Sequence, residues 1–201
     1  MVEVILPLAN GTDETLTNTI NNTITNHVIN ALKIGDQEGD NSQTIEESIK
    51  NFNVGFELFK KDFPEAHPWD AQVNGEVMCQ SPEVISISLS SYLNTGGAHG
   101  NLTITFLNFD AKTGKPIKNE DLLSNLDDFK KIAKDYFEDT IENKGVLFNP
   151  VSFQLPDNIG FNEEGIILLY NTYEIAPYAT GIIEFTISYD EIRFLLNFNG
   201  S

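Results

Sequence analysis

The residues best placed to do chemistry are few. His99 stands in Gly96-Gly97-Ala98-His99-Gly100-Asn101, where the glycines allow φ > 0 and close backbone approach. A catalytic histidine needs a positioned nucleophile or carboxylate. Ser90, Ser91 and Asp110 are near in sequence, but no nucleophile-elbow pattern surrounds either serine. The loop therefore reads first as a strand-connecting turn in which His99 bonds neighbouring backbone, and second as a contact surface built by Gly96, Gly97, His99 and Asn101. A second stretch, Tyr170 to Gly181, holds Tyr173, Glu174, Pro177 and Tyr178 between strong strand signals. Tyrosines of this kind serve packed corners and interfaces alike. Both stretches fall at strand ends, so one shared binding surface is expected from them, with no catalytic residue.

Metal chemistry finds little support. His27, His67 and His99 are far apart and Cys79 is the one cysteine, so no zinc-ligand spacing exists and no disulfide can form within the chain. Asp36, Glu38, Asp40 and Glu47 fall at calcium-loop positions, but Asn41 replaces the glycine of the sharp turn, and an acidic connector with a capping box explains the same residues. Glu163-Glu164 is a turn before Gly165, where adjacent carboxylates point apart, rather than a glycosidase pair. No metal and no cofactor is expected. Cys79 reads as a small buried hydrophobe beside Val73 and Val77, His27 as a packing residue, His67 as a turn residue and Trp69 as core.

The elements that must position these groups follow from periodicity. Val2 to Leu8 suits a short strand. Thr12 or Asp13 caps a helix whose Leu16, Ile20, Ile24, Val28 and Leu32 make one apolar stripe. Thr44 and Glu47 have capping-box spacing for a second helix, with Ile45, Ile49, Phe52, Phe56, Phe59 and Phe63 on its buried face and Pro64 as its stop. From Trp69 the period becomes two. Val73, Val77 and Cys79 alternate with polar residues; Ile85, Ile87 and Leu89 alternate with Ser86, Ser88 and Ser90; a third strand runs from Leu102 to Phe109. Asp127 and Asp128 open a third helix carrying Phe129, Ile132, Ala133, Phe137 and Ile141, with Gly145 as its C-terminal cap. Strands are expected at 151–155, 166–170 and 181–188, and a helical turn or a last strand at 189–196. The fold class is α+β: helices on one face of an antiparallel sheet, a single domain with a helical-hairpin half at 1–68 and a β-rich half at 69–201.

Composition limits the partners. Twelve Lys+Arg against thirty Asp+Glu give a net charge of −18, a surface that repels nucleic acid and anionic lipid and attracts basic proteins. No segment approaches the roughly 20 apolar residues of a membrane span. The N-terminus carries no basic region or cleavage site, which leaves open a cytoplasmic protein or one whose leader or anchor lies outside this sequence.

The glycine-histidine loop, Asn108-Phe109-Asp110, Thr113-Gly114-Lys115, Glu120-Asp121-Leu122-Leu123, the stretch from Tyr170 to Gly181 and Ile187-Ser188-Tyr189-Asp190-Glu191-Ile192 together resemble the paired domains of unknown function in RsiV-type anti-sigma factors. The same pair occurs beside the catalytic domain of PdaC-type peptidoglycan deacetylases and in bacterial lipoproteins. The resemblance covers 92–195 most closely and extends over the first ninety residues through element order. It implies an α+β fold in an extracytoplasmic, cell-envelope setting and, in the RsiV group, recognition of the basic protein lysozyme. The sequence departs from these groups in having no membrane span, no sigma-binding segment and no metal-dependent deacetylase domain. The expected function is a non-catalytic binding or sensory module for a basic, lysozyme-like protein or for peptidoglycan; the competing reading is an enzyme or accessory domain acting on peptidoglycan.

Overall fold

A computed structural model describes residues 1–35, 42–141 and 143–198. The candidate calcium loop, with Asp36, Glu38, Asp40 and Asn41, lies outside the described residues. The chain divides into two compact units, one made of 1–75 with 89–103 and the other of 76–88 with 104–201. It is α+β with two sheets, one with β1 (Val2–Ile5), β2 (Asp70–Gln80), β3 (Val84–Asn94) and β4 (Asn101–Asp110) in that order and one with β5 (Asn158–Phe161), β6 (Gly165–Tyr170) and β7 (Ile183–Ser188), where a single sheet was expected.

In the first unit, β1 (Val2–Ile5) is followed by α1 (Glu14–Ala31) and α2 (Ile45–Asp62) before β2 (Asp70–Gln80) begins. A connection of two helices is long enough to return the chain in the same direction, and β1 accordingly runs parallel to β2, with Val2 opposite Ala71 and Val4 opposite Val73. This pairing departs from the all-antiparallel expectation. Asp13 caps α1, its Oδ1 accepting from Leu16 N at 3.0 Å. The poor helix formers of α1 partly satisfy themselves: the Thr19 and Thr23 hydroxyls donate one turn back, to Thr15 O and Thr19 O. Thr44 Oγ1 accepts from Glu47 N at 3.1 Å, and Glu47 Oε2 reaches back to Gln43 N at 2.7 Å, so the capping spacing forms its box one residue early. Val28, Leu32 and Phe52 then pack over Ala71 and Val73 around the buried ring of Trp69.

β3 (Val84–Asn94) and β4 (Asn101–Asp110) follow β2. The expected alternation along β2 fails after Val73: Val77 is exposed and Cys79 only half-buried. In β3 the expected solvent face is also partly covered, since Ser86 is fully buried.

The second unit continues with the short α3 (Asn119–Leu122), α4 (Leu126–Thr140), β5 (Asn158–Phe161), β6 (Gly165–Tyr170), β7 (Ile183–Ser188) and the closing turn α5 (Tyr189–Ile192). Asn125 caps α4 through its Oδ1 on Asp128 N. Gly145 is not the helix cap. Ile141 ends α4, and Gly145 falls in a separate 3-10 turn whose Asn143 side chain accepts from Gly145 N. No strand forms at 151–155; Pro156 removes a ladder donor there, Val151 is fully outward, and the strand lies later, at β5. Every residue of β6 is buried, as its unbroken apolar run demands of a strand covered on both faces. α4 packs against β7, placing Phe129, Ala133 and Phe137 over the sheet.

β6 begins at a glycine for a steric reason. A Cβ on Gly165 would collide with the Ile187 carbonyl oxygen of β7. Gly165→Ala is therefore expected to lower stability by about 2 kcal/mol, the order seen for overpacking, measured as a smaller unfolding free energy in urea at unchanged m-value.

Candidate functional site

The first loop is shaped by its own hydrogen bonds. Asn94 Oδ1 accepts from Gly96 N at 3.1 Å, and Gly96 takes φ +86°, a conformation that favours glycine. Gly100 is buried against the Tyr92 ring, where any Cβ would overlap it. His99 is exposed, and its Nδ1 lies 3.0 Å from Gly100 O, donating in the tautomer that carries the proton there. Asn101 Nδ2 donates to Thr103 Oγ1 at 3.3 Å. Gly96 and Gly97 border an open groove of about 640 Å³, whose other wall is the end of α2 and the segment Phe63 to Pro68. Phe63, expected on the buried face of α2, is instead the residue at which the helix stops; it turns outward, 56% exposed, and stacks on Phe59 with ring centroids 4.6 Å apart.

The second loop belongs to the other unit. Asn171 anchors it like a short piece of strand: its Oδ1 accepts from Ile104 N at 2.8 Å and its Nδ2 donates to Ile104 O at 2.9 Å. Asn171 N donates to Glu174 Oε2 at 2.8 Å, and Glu174 N donates to Asn171 O at 3.1 Å, closing a tight turn. Inside it Tyr173 is held at φ +68°, the one non-glycine residue with positive φ among the described residues. Bulky residues in that region are strained, and such strain gathers at functional turns. The turn presents the Tyr173 ring outward beside that of Tyr178, centroids 5.7 Å apart, with 55% and 36% of the two residues exposed. Pro177 begins the 3-10 turn Tyr178–Thr180, and Gly181 leaves it at φ +78°.

Behind the turn lies a cavity of about 150 Å³ walled by Phe137, Phe148, Gln154, Tyr170 and Glu174. Tyr170 donates its hydroxyl to Gln154 O at 2.6 Å. Burial, and then the charge of Glu174, push the Tyr170 phenol well above its ordinary value. Desolvation raises the Glu174 carboxyl as well, against the backbone N–H groups that favour its ionised form. Cys79, half-buried in a different pocket with Tyr189 and Asn162, has its thiol raised by burial, with the Tyr189 hydrogen bond acting in the opposite sense.

Each unit thus carries a signature loop beside a recess. Asn171, which fixes the second loop, was not singled out from sequence; the signal was an amide directly after a buried strand. A deeper polar cluster was also missed. Ser86 Oγ donates to Asn108 Oδ1 at 2.7 Å, Asn108 Nδ2 donates to Ile159 O at 2.7 Å, and Phe161 N donates to Ser86 Oγ at 3.0 Å, all of it buried. Among the described residues no group of three or more His, Cys, Asp or Glu is placed to hold a metal ion. No helix of the described residues is long and apolar enough to cross a membrane.

The family model described as Deacetylase PdaC matches residues 1–102, and that described as a protein of unknown function, DUF3298, matches residues 115–190. No curated protein matches the chain. Two crystal structures of DUF3298 family proteins are similar to it. One, from Bacteroides fragilis, is 20% identical with a TM-score of 0.68, over 95% of this chain and 82% of that one. The other, from Pseudomonas aeruginosa, is 19% identical with a TM-score of 0.64, over 96% of this chain and 90% of that one.

Proposed function

We propose, on the premise that this chain belongs to the Deacetylase PdaC family through residues 1–102, that it is an extracytoplasmic binding and sensory module of a bacterial cell-envelope protein. Its role is recognition of a basic protein, lysozyme-like in charge, without bond-breaking chemistry of its own. The observation that carries this reading is the exposed Tyr173–Tyr178 pair on a strained turn whose next residue is Glu174. Two outward aromatic faces suit the arginine and lysine side chains of a basic surface, through cation–π contact. The net charge of −18 supplies long-range attraction to the same partner. The His99 contact to Gly100 O supports a shaping role for that histidine rather than a catalytic one. The resemblance to RsiV-type anti-sigma factors, in which lysozyme is the signal, supports the choice of partner.

The test is association of lysozyme with the protein, followed by surface plasmon resonance. Tyr173→Gly relieves the positive φ as it removes the ring, so it is expected to leave stability within about 0.5 kcal/mol while weakening binding about tenfold or more. The association rate falls as salt rises from low ionic strength, because exposed charges are screened over about 10 Å at 0.1 M. Unchanged affinity in both Tyr173→Gly and Tyr178→Ala would remove this surface, and turnover of peptidoglycan fragments by the wild-type protein would replace the reading with an enzymatic one.

A further inference from the structure

The pocket behind the Tyr173 turn takes no part in the reading above, which uses the outward rings. Its volume is about 150 Å³, and a cavity of about that size admits a molecule as large as benzene. All of its walls belong to the second unit. The floor is apolar, made by the buried side chains of Phe137, Leu147 and Tyr170, with the Tyr170 hydroxyl already engaged on Gln154 O. The rim is exposed and polar, made by Glu174, Gln154 and Ser152 beside the outward ring of Phe148. Both sides of the rim are held in place. Phe148 N donates to Ile175 O at 2.9 Å, which ties that ring to the turn. Glu174 Oε2 accepts from Asn171 N at 2.8 Å, and the Asp157 N–H is a second backbone donor to the same carboxylate.

Charge selects the occupant. No Lys, Arg or His is among the described residues that line the pocket, so Glu174 stands there without a cation beside it. Desolvation raises its carboxyl above the ordinary glutamate range, and the Asp157 charge adds to this against the two backbone N–H groups. A bound cation would favour the ionised form and offset that cost. An anion would meet the carboxylate with nothing to oppose it. A neutral apolar molecule would cover the floor but take water from Glu174 and give no donor in return. A primary ammonium donates to the carboxylate and to the rim oxygens of Gln154 and Ser152, while a short apolar chain on it covers the floor. The Phe148 ring adds cation–π attraction at the rim.

We propose that this pocket, rimmed by Glu174 and Phe148, is a binding site for a primary ammonium group that carries a short apolar chain. A free alkylamine and the N-terminus of a peptide that begins with an apolar residue both present that chemistry. Lysozyme could fail to bind the tyrosine pair while an alkylamine still fills the pocket, so the two readings fail separately.

Amide chemical shifts of the nitrogen-labelled protein give the test, in titrations with n-butylammonium chloride and separately with leucyl-glycinamide. Salt at about 0.15 M screens loose attraction to the acidic surface. At least one probe is expected to saturate the shifts of the Phe148 and Glu174 amides, with a dissociation constant of about 5 mM or tighter. Saturation by butylammonium alone identifies a free amine as the ligand; saturation by leucyl-glycinamide identifies a peptide terminus. The uncharged counterparts, n-butanol and N-acetyl-leucyl-glycinamide, are expected to bind about tenfold more weakly or less. Glu174→Gln keeps an acceptor oxygen for the turn and removes the charge, so it is expected to weaken binding about tenfold. Phe148→Ala, at an exposed position, is expected to weaken it about threefold or more with thermal unfolding unchanged; this variant and the uncharged probes decide the matter if Glu174→Gln does not fold. No saturation by either probe up to about 50 mM, equal affinity for the uncharged counterparts, or unchanged affinity in folded Glu174→Gln or in Phe148→Ala would each overturn the proposal.

Discussion

Asn108→Ala is expected to lower the unfolding free energy by about 3 kcal/mol or more, which for a chain of this length moves the melting temperature down by roughly 6–12 °C. Asn108 is 4% exposed and uses both ends of its amide on β3 and β5, accepting from Ser86 Oγ and donating to Ile159 O, each at 2.7 Å. Ser86 in turn accepts from Phe161 N. Truncation strips the Ile159 carbonyl of its donor and the Ser86 hydroxyl of its acceptor, in a place water does not reach. Each orphaned group costs about 1–3 kcal/mol, where a satisfied hydrogen bond contributes only about 1. The members should also couple. Ser86→Ala with Asn108→Ala is expected to cost at least 0.5 kcal/mol less than the two single losses added, because the second removal finds its partner already gone. A single-mutant loss under about 1 kcal/mol, or strict additivity, would show that the cluster does not hold β5 against β3 and β4.

That cluster also marks the limit of what the sequence disclosed. The helices were legible because their stripes and caps are local: Ile20, Ile24 and Val28 recur every fourth residue, and Asp13 and Thr44 announce each start. β2 and β3 were legible from a period of two in their residues, although the burial of β2 keeps that alternation only as far as Val73. The second sheet was not separated from the first, because Ser86 alternates with Ile85 and Ile87 like any solvent-facing serine. Only the asparagine opposite it turns that serine into a buried junction, and a pairing across 22 residues leaves no mark in local pattern. β5 escaped for a related reason: Ile159 and Phe161 alternate over only four residues, too short a run to stand out, whereas 151–155 alternates yet stays unpaired.

The loops show the same division between residue type and residue role. Gly96, Gly97, Tyr173 and Tyr178 were named from their types, and the structure gives the glycines a groove and the tyrosines a shared outward face. The positive φ of Tyr173 could not be read, since tyrosine is a poor resident of that region and is held there by the Asn171–Glu174 hydrogen bonds rather than by its own preference. Phe63 was placed in the core by helical spacing. The spacing is right to Phe59, but the chain leaves helical geometry at Phe63, before Pro64, and the ring swings out to wall the groove.

Phe137→Ala is expected to have the largest effect of any single truncation, about 4 kcal/mol, with a fall in melting temperature of about 10 °C or more. The ring is 6% exposed on α4 and meets Phe153 at 5.1 Å, Tyr170 at 5.6 Å and Phe185 at 6.4 Å between centroids, so it joins the helix to β6, to β7 and to the segment before β5. Its removal forfeits the transfer free energy of the ring and leaves a void, and the neighbours cannot close on it because the sheet holds two of them at fixed spacing. The void would open into the cavity that Phe137 already walls beside Glu174. Phe137→Leu, which keeps most of the volume, should cost about 1.5 kcal/mol. Phe148 walls the same cavity but is 60% exposed, and Phe148→Ala should stay within about 0.5 kcal/mol. Chemical unfolding of the three variants separates the two roles a cavity wall can have. Equal losses for Phe137→Ala and Phe148→Ala would mean that the aromatic cluster is not what couples α4 to its sheet, and the Tyr173 turn above it would then owe its shape to Asn171 alone.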